Sequence, residues 1–205
     1  MDKNSGKLFN WNSGKLFNWN LNASLAKMSS RDKAYLYQLY CQVREEPLAI
    51  IPELLRLQAQ YPHVPTIANY LSIAYIHSQQ EERHLAILLD TRKRFPEYLF
   101  GKIGLAEYYL NHQEHTRVPQ MLDRKFEIWQ HCPNVDMFHV SEVRSFFSVV
   151  GVYFARCNQV ARALYHYCML TDIAPEHHAT KRVGDEIVLK EMNKVTRRFS
   201  QRARD

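Results

Sequence analysis

The chain reads as an all-α protein. Only 6 of its 205 residues are glycine, and two of those lie within the first 14. Long stretches run without a breaker, which favours helices over a turn-rich β fold. Prolines recur where helical patterns end: Pro62, Pro96, Pro133 and Pro175 follow Tyr61, Phe95, Cys132 and Ala174. Between them, apolar residues return at helical spacing. These features predict helices over 31–44, 47–60, 65–77, 80–94, 97–111, 116–130, 135–156, 158–172 and 176–200.

Each element has a local reason. Pro47, Pro65 and Pro175 sit near predicted helix starts, where a missing N–H costs little. Asn134 or Asp136 is expected to cap the helix over 135–156. The last helix carries Val183, Ile187, Val188, Met192 and Val195. That apolar stripe is expected to cover the open end of a helical stack, with Lys and Arg facing solvent.

The front of the chain differs. Residues 4–11 read NSGKLFNW, and residues 12–19 repeat it without change. The Asn and Ser-Gly content disfavours helix, so 1–28 is expected to be a flexible tail. Phe9, Trp11, Phe17 and Trp19 are unusual in such a segment. Two readings stand: a duplicated linear motif that docks into a groove, or a duplication without a role.

Pro62 to Pro96 spans 34 residues, and the next intervals are 37 and 42. Counted from Arg144, Phe147, Val150, Gly151 and Phe154 fall at positions 4, 7, 8 and 11, with Ala163, Tyr167 and Pro175 at 20, 24 and 32. This pattern resembles the tetratricopeptide repeat. A unit counted from Pro65 matches through Leu71, Ser72, Tyr75, Leu88 and Pro96 but places His84 at the small position 20. A third, from Leu99, matches through Leu105, Ala106, Tyr109 and Leu122 but has Val118 at 20. A first unit from Arg31 keeps Leu54 and Pro62.

The resemblance implies a right-handed superhelical solenoid of antiparallel helix pairs over 29–175, capped by a basic helix over 176–205. Small residues at 8 and 20 would let paired helices approach, and large ones would fill the seam.

The same resemblance places a concave partner-binding face on the first helix of each unit. It implies Asn69, Ile73, Ile76 and His77, then Phe100, Ile103, Glu107, Leu110 and Asn111, and then Val152 and Arg156. The first unit offers Tyr35, Leu39, Gln42 and Val43. The face is apolar with a few polar points, which suits another protein's amphipathic or extended segment, the chain's own tail included. Some members of the family clamp a C-terminal carboxylate. Of the corresponding positions here, only Asn69 is compatible, so that clamp is not expected.

Net charge is +6 overall, and residues 181–205 alone carry +4. Lys190, Lys194, Arg197, Arg198 and Arg202 form the alternative site, for nucleic acid or an acidic surface. A solvated cap also needs such charge, and cations favour a helix C-terminus.

Cys41, Cys132, Cys157 and Cys168 show no CxxC spacing and are expected to be buried thiols in a reduced compartment. No secretory leader pattern or membrane span is legible, so the expected location is the cytoplasm. Phosphate-loop and catalytic motifs are not present, and His177-His178 lacks converging partners for a metal. The expected function is therefore non-enzymatic protein binding as scaffold, adaptor or chaperone, without cofactor or metal.

Overall fold

The computed structural model describes residues 25–132 and 138–202. The duplicated octapeptide, Asn134 and Asp136 lie outside the described residues. Nine α-helices and no strand occur among those described. They fall into two compact units that divide between Cys132 and Pro133, inside the region expected to be one array.

In the first unit, α1 (Ser30–Gln42) opens with Ser29 accepting a hydrogen bond from the Asp32 N–H at 3.1 Å, a side-chain N-cap. Pro47 and Pro65 stand in the first turns of α2 (Pro47–Gln60) and α3 (Pro65–His77), as expected. The next helix, α4 (Glu81–Arg94), begins with Glu81 and Glu82 and ends with Arg92, Lys93 and Arg94, which suits its dipole. It is followed by α5 (Leu99–Asn111) and the single turn α6 (Val118–Met121). Each of these helices packs on the next.

Leu36, Leu39, Ile50, Leu54, Leu57, Ile67 and Leu71 form the core of α1–α3. The expected tail stops short of residue 28. Leu25–Lys27 forms a 3-10 turn, and Met28 is buried against this core.

The hairpins share one way of turning. At the end of α3, Gln79 has φ 59°, and the Gln80 N–H donates to the Tyr75 carbonyl at 2.9 Å. At the end of α5, Gln113 has φ 61°, and the Glu114 N–H reaches the Tyr109 carbonyl at 2.8 Å. In the second unit, α7 (Val140–Arg156) ends the same way, with Asn158 at φ 60° and Gln159 N–H on the Phe154 carbonyl at 2.8 Å. The left-handed residue and the 6→1 bond define a Schellman end. Each acceptor is the aromatic residue at position 11 of its unit.

The ends of the second helices repeat as well. The N–H groups of Tyr61, Phe95 and Ala174 donate to the Leu57, Thr91 and Leu170 carbonyls, each at 2.8 Å. A proline follows each, and three residues beyond it the next helix begins at 65, 99 or 178.

The expected helix over 116–130 does not form. A 3-10 turn at His115–Arg117 runs into α6, and a second covers Ile128–Gln130. Asp123 and Arg124 are both left-handed, at φ 51° and 57°, and the Arg124 N–H closes on the Pro119 carbonyl at 2.6 Å. Two such residues in succession end a right-handed helix.

In the second unit, α7 begins at Val140 rather than 135. His139 caps it, and Glu142 returns a hydrogen bond from the His139 N–H at 2.9 Å. It packs on α8 (Val160–Ile173) and on α9 (His178–Arg202), which also pack on each other. Gly151, at position 8, is where they meet. A Cβ there would lie 2.9 Å from Val183 Cγ1 and 3.3 Å from His166 Cβ.

The stripe on α9 covers less than expected. Val183 and Ile187 are buried, while Val188, Met192 and Val195 are 56%, 62% and 49% exposed. Only the first half of the helix seals the unit.

Candidate binding surface

The candidate residues of the first unit stand in matching register on α3 and α5. Ile76 is 48% exposed, His77 and Asn111 are exposed, and Asn69, Ile73, Phe100 and Glu107 are half-buried. Ile103 and Leu110 are buried, at 3% and 0% exposure, and Val152 in the second unit is at 0%. These three are packing residues, because a partner reaches them only by displacing what covers them. The cause is their position. Each comes one turn of helix from a fully buried residue of the same face, Ala106 beside both Ile103 and Leu110, and Val149 and Ala155 beside Val152. Leu39 and Val43 of α1 are buried as well, whereas Gln42 is exposed and Tyr35 half-buried.

Arg156 was expected to orient a partner. Its Nε donates to Glu186 Oε1 of α9 at 2.9 Å, with both side chains mostly buried. It ties α7 to α9.

The turn between α1 and α2 adds residues that the sequence did not single out. Glu45, Glu46, Pro47 and Leu48 line a 440 Å³ depression with His77, Ser78 and Gln79 at the end of α3. Leu48 is 67% exposed. Leu48 and Pro47 give it an apolar wall beside His77 and the side chains of Glu45 and Glu46. The legible signal was weak: a lone Leu after the Pro at a helix start, on no periodic stripe.

His84, the departure at position 20, has a structural reason. It is buried, and its Nδ1 bonds the Ser72 carbonyl at 2.9 Å. The imidazole bridges α4 to α3 where a small residue would merely make room, and burial depresses its basicity. His166 in α8 lies against Phe147 and Phe154, with ring centroids 5.5 and 5.6 Å away. It is 2% exposed, and its Nδ1 has no hydrogen-bond partner among the described residues. Burial, helped by the Arg162 charge, brings its pKa down to about 4.

Among the basic candidates, Lys190 and Lys194 are half-buried and Arg197 is exposed. Lys194 Nζ pairs with Glu191 at 2.6 Å. The side chains of Arg198 and Arg202 lie outside the described residues. Lys190, Lys194 and Arg197 continue the line that Val183 and Ile187 bury further up the helix.

None of the four cysteines is buried: Cys41 and Cys168 are exposed, Cys132 and Cys157 intermediate, and none is joined in a disulfide. Cys41 and Cys168 lie on outward faces of α1 and α8. The rings of His177 and His178 lie 4.1 Å apart, and His177 Nδ1 accepts the Ala179 N–H at 3.1 Å, at the start of α9. Among the described residues no group of three His, Cys, Asp or Glu is placed to share a metal ion, and no helix is long and apolar enough to cross a membrane.

The fold thus defines an all-α protein of consecutive helix hairpins. Comparison with protein-family models, with curated proteins and with solved structures returns no match.

Proposed function

We propose that the chain is a non-enzymatic protein–protein interaction module of the tetratricopeptide type, its helix pairs stacked as a right-handed solenoid. It acts as a scaffold, adaptor or chaperone by holding an apolar segment of a partner. The observation that supports this reading is the repeat of exposure on consecutive first helices. His77 on α3 and Asn111 on α5 are exposed at the same register, and Ile73 and Glu107 are half-buried at the same register, with half-buried Phe100 two turns before Glu107; Leu110, in register with exposed Ile76, is buried. The partly exposed apolar side chains among them, Ile73, Ile76 and Phe100, are a surface for side-chain recognition. Leu48 extends it, and Glu45, Glu46 and Glu107 favour a segment carrying Lys or Arg beside its apolar residues.

The test is affinity capture from native lysate with mass spectrometry, on wild type and Ile76→Glu/Phe100→Glu, at low and high salt. A protein held by wild type at both salts and lost by the variant supports the groove. Ile103→Glu is unsuitable, because it places a charge in the core.

The second reading, an anionic partner on α9, is favoured by the alignment of Lys190, Lys194 and Arg197. Capture of nucleic acid or acidic proteins that survives the groove variant and disappears in high salt supports it instead.

A further inference from the structure

The helix α9 begins as the first helix of another repeat. The turn before it, from Ala174 through His177 N–H on the Ala174 carbonyl at 3.1 Å, matches Phe95 to Tyr98 before α5, at 3.0 Å, and Tyr61 to Val64 before α3, at 3.1 Å. In α7, positions 4, 8 and 11 face the second helix of the pair: Phe147 and Phe154 meet the His166 ring, and Gly151 meets its Cβ. The same positions counted along α9 are Lys181, Asp185 and Val188. One, two and three turns beyond Val188, the face continues as Met192, Val195 and Phe199.

Those last four residues are 56%, 62%, 49% and 66% exposed. Their spacing is 4, 3, 4, the alternation of a coiled-coil seam. The face that a second helix covers in α7 is uncovered in α9: it is charged at its start, with Lys181 and Asp185, and apolar from Val188 onward. It lies on a different side of α9 from Val183 and Ile187, which pack on the rest of the unit, and nothing among the described residues covers it.

We propose that this face pairs with α9 of a second copy of the chain, antiparallel about a two-fold axis, so that each copy supplies the missing second helix of the other. Three observations favour this occupant. The paired helices of every hairpin run antiparallel, and an antiparallel partner reproduces that geometry. The stripe is self-complementary when reversed: Val188 meets Phe199 of the second copy, and Met192 meets its Val195, so every layer sets a β-branched residue against a longer one. The cations Lys190, Lys194 and Arg197 occupy the outer positions of the heptad, away from the seam, where solvent and salt screen them from the other copy. A flat anionic surface lying on the stripe would leave those cations on its far side.

The test is sedimentation equilibrium of the full chain in reductant, from low micromolar to several hundred micromolar, at low and high salt. The expected result is a monomer–dimer equilibrium that tightens or holds as salt rises. Met192→Glu and Val195→Glu each weaken it by about 30-fold or more, since each buries a charge in the seam. Both sites are about half-exposed or more in the single chain, so at concentrations where the wild type is monomeric the thermal melt of the variants matches it. Lys190→Glu/Arg197→Glu leaves the dimer intact. A chain that stays monomeric throughout overturns the proposal, including the case in which its own N-terminal tail covers the stripe. A dimer indifferent to Met192→Glu and Val195→Glu, or one abolished by salt, overturns it too. None of these outcomes bears on the groove of α3 and α5, whose variants are separate.

Discussion

The ammonium of Lys102, with no exposed surface, lies 2.9 Å from Asp123 Oδ2 across the turn that replaces the sixth expected helix. Arg92 pairs with the other oxygen of the same carboxylate, and Glu97 stands 3.4 Å from the ammonium. Lys102 is fully buried, and the carboxylate it pairs with belongs to one of the two left-handed residues of that turn. Hydrogen bonding and charge from Lys102 keep the carboxyl below its ordinary range, against burial, which acts the other way. Asp123→Ala leaves a buried cation without its main partner and is expected to cost about 2–3 kcal/mol, less than a fully buried pair because Asp123 is a third exposed. Lys102→Met keeps the stem and removes the charge, and is expected to cost about 1 kcal/mol or less. Urea denaturation of the two variants checks the order.

Acid sensitivity follows from His166. It is neutral in the folded chain down to about pH 4, whereas in the unfolded chain it takes a proton near pH 6.5. The unfolded state therefore binds more protons in that window, and stability present above pH 6.5 is lost as pH falls toward 4. His84, His131 and His139, all lowered by burial, act in the same direction. His112, raised by the Tyr108 carbonyl and Glu81, opposes them but is exposed. His166→Leu is expected to flatten the loss of melting temperature between pH 7 and pH 5. An unchanged slope would remove His166 from the account.

The Schellman ends make a graded prediction. A residue with a Cβ in the left-handed region costs about 1 kcal/mol relative to glycine, partly offset by the greater freedom of glycine in the unfolded chain. Gln79→Gly and Gln113→Gly are each expected to stabilise by about 0.5 kcal/mol. Asn158→Gly is expected to gain less, because asparagine tolerates this conformation. Thermal melts of the three single variants test the ranking.

Two glycines at helix crossings separate a soft contact from a hard one. A Cβ on Gly104 would lie 2.6 Å from Leu88 Cδ2, the movable end of a side chain. Gly104→Ala is expected within about 1 kcal/mol of wild type, since helix propensity offsets the repacking. On Gly151 the Cβ would meet both methyls of Val183, at 2.9 and 3.1 Å, and His166 Cβ. Val183 is stiff at χ1 and His166 Cβ is fixed to its backbone, so Gly151→Ala is expected to cost about 2–3 kcal/mol. Urea midpoints of both variants decide it.

Much of the fold was legible in the sequence. Pro47 and Pro65 marked helix starts because the ring suits a first turn, and Gly151 marked a close crossing because a Cβ there would meet Val183 and His166. The break after Met121 was not legible. Pro119 reads as an ordinary helix opening, and two successive left-handed residues of types Asp and Arg carry no local signature. Lys102 was invisible for the same reason: its partner is 21 positions away, and lysines are rarely buried. The binding surface was legible only in register. Periodicity placed Ile76, His77 and Asn111 at exposed positions, but it cannot separate Ile73 from Ile103, which occupy the same stripe and differ in what covers them.

The principal packing pairs join helices that are neighbours in sequence, or next neighbours in the case of α7 and α9. Such a map has short loops to close and little need for the distant chain. Each hairpin of the first unit is complete once its second helix has left the ribosome, so α1–α4 can settle while residues beyond 132 are still being made. Synthesis then releases the helices in the order in which they bury one another. The uncovered stripe of α9 emerges after α1–α8 and after Val183 and Ile187, the residues by which α9 packs on its unit.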